Sequence, residues 1–447
     1  MTTNSLFGTS GIRGDAEDLF TNQFSFDLGQ TFALFLDHHK QKGGVAVGMD
    51  PRGSSPRIKD AVISGLVYQK REVYDQGAAP VPSMCYIQQV SEKYVGAVMI
   101  SGSHIKPHLN GIKFFAFNEE ILKSHEAQIN KIYKKVAGKT NWIEAKEDEI
   151  HPENTACEEY IERLINLASD PLPKWKVVVD PGDGAQSDVM PKVLERLGLN
   201  IIEINATIQG EFYARDTEVE NDFDSLKETV IKENADFGVG YDSDGDRVIF
   251  VDKNGNFIPG DYTGTLIARE VISSTVVTPI NTSQVIDRID KRIIRTKVGS
   301  PYVVEKMKEH NLDFGFEANG GGIFRDMLSR DGGRTTIEIM NLMKTKNKDL
   351  ISLVNELPRF YLFREKLDYK WEYKELILRK AKEEFKGWMI EETDGLKIWL
   401  DETTWILFRS SMNAPEFRVF AESNNRKKAR QTMEKGLNLV KEVIKSG

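Results

Sequence analysis

Short apolar runs closed by turn residues alternate along most of this chain with stretches whose apolar residues recur every three or four positions. The first pattern suits buried strands and the second amphipathic helices. Val45–Met49, Tyr94–Ile100, Trp175–Val179, Leu199–Ile204, Asp236–Tyr241 and Val248–Val251 read as strands. Ile58–Lys70, Glu119–Lys135, Thr155–Leu167 and Val189–Leu197 read as helices. This β-α-β rhythm predicts mixed α/β layers with largely parallel strands. The C-terminal part differs: Leu396–Leu400, Trp405–Phe408 and Phe417–Ala421 are closely spaced strand candidates, and one amphipathic helix runs from about Asn425 to Ile444. The pattern divides the chain into three α/β segments, 1–149, 150–256 and 257–364, and an α+β segment, 365–447. No short-period repeat or low-complexity linker interrupts it.

A length of 447 residues suits several domains. Sixty Lys+Arg against 68 Asp+Glu give a net charge of −8, which argues against a general nucleic-acid binder. No apolar run approaches the ~20 residues that span a bilayer, and no basic and apolar leader pattern follows Met1. Cys85 and Cys157 belong to no Cys-x-x-Cys pair, so neither a zinc site nor a disulfide framework is expected. The expectation is a soluble, cytoplasmic, multidomain protein that binds neither nucleic acid nor membrane. No motif specifies an oligomeric state. Arg426–Arg430 is a basic cluster that reads as a solvated helix face balanced by Glu422 and Glu434.

The strongest chemical signal is Asp242-Ser-Asp244-Gly-Asp246-Arg247, directly after a strand. Carboxylates on alternate residues of a tight loop can converge on one hard divalent cation. An EF-hand would need glycine and glutamate where Arg247 and Lys253 stand, so that reading fails. Mg2+ pairs readily with phosphate oxygens, which suits three aspartates beside an arginine. The second signal is Ser101-Gly-Ser103-His104 at the end of the strand Tyr94–Ile100, where open α/β sheets place ligands. A serine there can accept or bind a phosphoryl group. Asn110-Gly-Ile-Lys113 returns a lysine towards the same loop, and a desolvated lysine near other cations can have a lowered pKa and act as acid/base.

Three weaker signals flank these. Phe7-Gly-Thr-Ser-Gly-Ile-Arg13-Gly14 lets backbone approach an anion, with Arg13 adding charge, and Asp50-Pro-Arg52-Gly-Ser-Ser55 follows a strand. Phe316-Glu317-Ala-Asn319-Gly-Gly-Gly322 suits sugar hydroxyls. Arg409-Ser-Ser411-Met-Asn413, with Arg418 beyond it, suits a phosphate dianion. Walker A and His-Glu-x-x-His patterns are absent, and Gly238-x-Gly240-x-x-Ser243 lacks the third glycine of a dinucleotide fingerprint.

Taken in this order, from Phe7 to Arg418, the motifs resemble the α-D-phosphohexomutase family, which includes phosphoglucomutases, phosphomannomutases and phosphoglucosamine mutases. The resemblance implies four domains around a central cleft, three similar α/β domains and a smaller C-terminal one. It implies Ser103 as phosphate carrier and a metal ligand together with Asp242, Asp244 and Asp246. His104, Lys113, Arg13 and Arg247 would take catalytic roles. Lys297, in Thr296-Lys-Val-Gly299, would contact substrate with Glu317, Asn319, Arg409, Ser411, Asn413 and Arg418. One Mg2+ and a hexose 1,6-bisphosphate activator are implied, with a hexose phosphate as the small-molecule partner. Ile105-Lys106, Gly321 and Asn413-Ala414 depart from the commonest family pattern. They resemble a phosphomannomutase-like branch, with Gly321 standing where a histidine is frequent. The implied reaction is reversible transfer between the 1- and 6-positions of mannose or glucose phosphate. Phosphoglucosamine mutase, a metal-dependent sugar phosphatase and a non-catalytic sugar-phosphate binder stand as alternatives.

Overall fold

The computed structural model describes residues 6–208, 214–411 and 415–446. One strand order occurs three times. In the first segment Gly44–Met49 lies between Val73–Ala78 and Tyr94–Ile100, all parallel, and Leu109–Ala116 and Glu119–Glu120 continue the sheet antiparallel. In the second, Lys176–Asp180 lies between Asn200–Glu203 and Phe237–Tyr241, followed by antiparallel Val248–Asp252 and Phe257–Ile258. In the third, Thr275–Pro279 lies between Arg292–Thr296 and Phe314–Phe316, followed by antiparallel Gly322–Phe324 and Met327–Asp331. The fold therefore repeats a topology that no sequence repeat announces.

The sheets are mixed, which corrects the expectation of largely parallel strands. Asp242–Arg247 is too short for the crossover that parallel neighbours need, so Val248–Asp252 turns back antiparallel on Phe237–Tyr241. Leu328 pairs with Glu119 and joins the first and third sheets into one of twelve strands. This pairing also corrects the expected helix start. Glu119–Glu120 is strand, and the helix covers Lys123–Val136. Buried Glu119 is matched there by the Lys308 ammonium at 2.7 Å.

The C-terminal sheet is antiparallel, in the order Tyr361–Asp368, Glu416–Ser423, Thr404–Ser410, Leu396–Asp401 and Met389–Glu391. Helices Lys374–Glu384 and Arg426–Ser446 lie with it. The strand Tyr361–Asp368 spans the expected limit at 364, and its run of charged residues hides it from the apolar pattern. Ile150–Pro152 still pairs with the first sheet, and Phe257–Ile258 with the second. The architecture is α/β and multidomain, three like units followed by a smaller one.

Apolar clusters lie on both faces of the sheets, including fully buried Phe32, Phe114, Val177, Phe237, Phe314 and Ile406. Glu422 is buried and accepts bonds from the Gln284 backbone N–H at 2.9 Å and the Trp405 indole at 2.7 Å. It does not balance the exposed basic helix face as expected. Among the described residues, no helix is long and apolar enough to cross a membrane.

Candidate active site

The repeated topology sets the site. The loop after the third strand of each unit holds Ser101–Lys106, Asp242–Arg247 or Glu317–Gly321. Equivalent strand ends in three similar sheets thus bring together residues far apart in sequence, at the carboxyl edges where α/β folds place ligands.

Ser103 is fully buried and has φ +53°, a left-handed conformation that costs a non-glycine residue about 1–2 kcal/mol. Three hydrogen bonds hold it there. Its N–H donates to Ser101 Oγ at 2.8 Å, and its carbonyl accepts from Arg52 Nη2 and from Ser243 Oγ, both at 2.7 Å. Arg52 is itself buried and paired with Asp50 at 3.0 Å. The Ser103 hydroxyl donates to Asp242 Oδ2 at 2.7 Å across 139 residues of chain. His104 Nδ1 lies 3.4 Å from the same hydroxyl. Burial first, and then the charges of Arg247 and Arg13, hold the His104 imidazole well below its usual pKa.

Asp242, Asp244 and Asp246 are buried and offer oxygens that all lie within 4.8 Å of one another. Asp244 Oδ1 and Asp246 Oδ1 have no hydrogen-bond partner within the protein. A cluster of hard oxygen donors with two unpaired buried atoms fits a divalent cation such as Mg2+. Burial and the two neighbouring carboxylates push Asp242 well above the usual carboxylate range. Burial also acts on Asp244, but the Lys113 ammonium outweighs it and holds this group below that range. Lys113 Nζ is 2.7 Å from Asp244 Oδ2 and 3.0 Å from Asp246 Oδ2. Burial favours the neutral amine, yet the two carboxylates prevail and raise its pKa. The lowered lysine pKa expected from sequence is therefore corrected: the groups touching this lysine are anionic.

Arg247 lies 3.6 Å from Asp242 and 3.7 Å from Asp246. Arg330, which the sequence reading missed, is 2.7 Å from Asp246 Oδ2 and 2.9 Å from Glu317 Oε2. The other Glu317 oxygen accepts the Gly299 N–H at 3.1 Å. Asn319 Oδ1 caps the Gly321 N–H at 3.2 Å. On the C-terminal unit, Arg409 Nε donates to Asp394 Oδ2 at 2.7 Å, and that oxygen also accepts the Val298 N–H at 3.0 Å. Ser411 is anchored through its N–H to the Glu416 carbonyl at 2.8 Å.

All four units line one cavity. Arg13, Arg247, Arg330, Arg409 and Arg418 face it, against the carboxylates of Glu218 and Glu317. That excess of guanidinium suits phosphate dianions, which arginine binds by paired hydrogen bonds. His104, Asn319 and Ser411 share the wall, and the aspartate cluster lies behind Arg247 and Arg330. Ser103 and Lys113 are buried with the aspartates and are not part of the lining, and Lys297 is set apart from both groups. It is exposed and outside the lining, with Nζ 5.9 Å from the Tyr302 ring. Asn413 lies outside the described residues. Besides Arg330, the sequence reading missed Glu218, Asn281 and Asp394. An arginine inside a short buried strand was the one available cue.

Family models described as "Phosphoglucomutase/phosphomannomutase, alpha/beta/alpha domain" I, II and III match residues 4–139, 158–255 and 259–361. The chain is 37% identical to a "Phosphoglucomutase/phosphomannomutase" of Thermococcus kodakarensis, over 98% of this chain and 99% of that one. It is 30% identical to a "Probable phosphoglucosamine mutase" of Methanopyrus kandleri, over 98% of each. Its fold matches a crystal structure of a phosphoglucomutase/phosphomannomutase family protein from Burkholderia thailandensis at TM-score 0.81. That match has 22% identity and covers 99% of this chain and 98% of the other.

Proposed function

The chain belongs to the phosphoglucomutase/phosphomannomutase family, and from that premise we propose that it moves a phosphoryl group reversibly between the 1- and 6-positions of mannose or glucose phosphate. As a member of the phosphohexomutase superfamily it is an isomerase working through a phosphoserine and a bisphosphorylated sugar. The observation that carries the assignment to particular residues is the Ser103 hydroxyl at 2.7 Å from Asp242, beside a cavity walled by arginines.

In this reading Ser103 starts phosphorylated. A free sugar hydroxyl attacks the phosphorus and gives its proton to a base, while the bond to Ser103 Oγ breaks and that oxygen takes up a proton from an acid. The resulting bisphosphate turns over inside the cleft and returns its other phosphoryl group to Ser103 Oγ. Hexose 1,6-bisphosphate then primes any enzyme that has lost its phosphate. Asp242, Asp244 and Asp246 would hold one Mg2+, which supplies positive charge against the transferred group. Arg13 and Arg247 add fixed charge on the cavity side, where preorganised cations act most strongly. We assign Lys113 and His104 to proton handling, His104 as a neutral imidazole. Arg409, Ser411, Asn413 and Arg418 grip the phosphate that is not reacting, and Glu317 and Asn319 orient the sugar. The chain is read as four domains near the limits 150, 256 and 364, so that closure around the substrate excludes water from the phosphoserine.

A second reading, phosphoglucosamine mutase, is favoured by the name of the Methanopyrus kandleri relative and by the segment Asn110-Gly-Ile-Lys-Phe-Phe115, which resembles that branch of the family. Purified protein with Mg2+ and a trace of glucose 1,6-bisphosphate should be offered glucose, mannose and glucosamine 1-phosphates in turn. Fastest conversion of the mannose or glucose ester to its 6-phosphate is expected. Preference for glucosamine 1-phosphate selects the second reading, release of free phosphate indicates a phosphatase, and no product indicates a binding protein.

A further inference from the structure

Arg330 sits on the strand Met327–Asp331 and is only 5% exposed. Burying a guanidinium costs several kcal/mol unless its partners are well placed. Its partners come from two different units. Nη2 meets Asp246 Oδ2 on the acidic loop at 2.7 Å, and Nη1 meets Glu317 Oε2 on the sugar loop at 2.9 Å. The planar fork of arginine can span two carboxylates in this way, while the ammonium of lysine is a single point charge.

The backbone is shaped to admit it. A Cβ at Gly321 would fall 2.8 Å from Arg330 Cδ and 3.0 Å from its Cγ. A Cβ at Gly320, which has φ +87°, would fall 1.7 Å from the Val248 carbonyl oxygen. The sugar loop therefore lies directly on the strand that leaves the acidic loop, with the Arg330 stem in the space that a side chain at 321 would need. Arg330 also faces the cavity, and its Nε is buried without a hydrogen-bond partner.

We propose that Arg330 is a positioning residue that couples cation binding at the aspartate cluster to sugar-phosphate binding in the cavity. The proposal rests on the mutase reading above. Asp246 and the cavity share one guanidinium. When a cation engages Asp246, less of the Arg330 charge is neutralised there, and more acts on Glu317 and on an anion in the cavity. Linkage makes the effect reciprocal: sugar phosphate must then tighten the cation by the same factor.

The test is calorimetric titration of Mg2+ into the full-length dephosphorylated protein, which keeps every proposed ligand but has no phosphoryl group to transfer, with and without saturating glucose 1-phosphate. Glucose 1-phosphate is expected to tighten Mg2+ about fivefold or more. Adding Arg330→Gln should bring that factor below about two. Arg330→Lys restores charge without the two-armed contact, so it should preserve the melting temperature better and still show reduced coupling. A parent whose Mg2+ affinity is indifferent to glucose 1-phosphate overturns the proposal. So does full coupling in either Arg330 variant, and so does failure of both variants to fold, which would make the residue structural. Wild-type turnover measured alongside separates the two levels. Active enzyme without coupling sinks only this proposal, whereas enzyme that forms no hexose 6-phosphate sinks the mutase reading.

Discussion

Arg409 reaches the neighbouring unit through Asp394, whose Oδ2 accepts the Arg409 Nε–H at 2.7 Å and the Val298 N–H at 3.0 Å. A residue facing the cavity is thereby tied to the stretch beside Lys297. If Arg409 grips phosphate as proposed, Arg409→Ala removes a charge-assisted contact worth about 1.5–3 kcal/mol. The expected result is a fall of about 10–100-fold in kcat/KM, with kcat itself reduced, because binding energy at the remote phosphate is used for orientation. Steady-state kinetics and thermal melting on the same sample check this. A lower melting temperature with unchanged constants per folded enzyme would make Arg409 structural.

Asp244→Asn keeps the size of the side chain and removes one charge from the proposed cation site. The Mg2+ concentration for half-maximal activity should rise at least about tenfold, with partial recovery of rate at high Mg2+. An unchanged Mg2+ dependence contradicts the assignment.

Lys397 is buried on Leu396–Asp401, with Nζ 3.0 Å from the Ile280 carbonyl oxygen and 4.0 Å from the Trp405 ring centre. Burial, and then Arg295, push its amine down to about 7. An unfolded lysine titrates near 10.4, so between those values the unfolded chain binds the extra proton and stability rises with pH. The contribution is at most about 1.4 kcal/mol per pH unit. Melting temperature measured from pH 7 to 9.5 should rise less steeply in Lys397→Met than in wild type. Equal slopes would show that the amine stays charged in the fold.

Gly321→Ala should cost about 1–3 kcal/mol by overpacking against Arg330. In an Arg330→Ala background the cost should fall by more than half, since the two crowded side-chain atoms are gone and only the Asp246 carbonyl oxygen, 3.0 Å from the new Cβ, remains. Denaturant melts of the four proteins give the cycle, and additive effects would contradict the packing account.

Much of this site was legible because its chemistry is local in sequence. Asp242, Asp244 and Asp246 alternate within one loop, and Ser103 follows an evident strand. What escaped was long-range. Arg330 looks unremarkable until Asp246 and Glu317 arrive from other loops, and Asp394 until it meets Val298. Glu119 has a helical pattern after it, but pairing with Leu328 makes it strand. The sequence around Lys113 predicts a desolvated amine near cations, whereas carboxylates 131 and 133 residues away determine its state. The strand Tyr361–Asp368 was hidden by its own charges. The three sheets share one strand order, which backbone pairing reveals and residue identity does not.

The account depends on Ser103 as the carrier, and the most direct measurement is the fate of one phosphoryl group. Purified protein is treated with glucose 1,6-bisphosphate, its mass and modified peptide are determined, and glucose 1-phosphate is then added. The account predicts one phosphoryl group on Ser103, transferred to the sugar on addition. In Ser103→Ala there should be no mass gain, turnover lower by at least about 10³-fold and a nearly unchanged melting temperature. A phosphoryl group on another residue, or none, together with near-full turnover in Ser103→Ala, would contradict it.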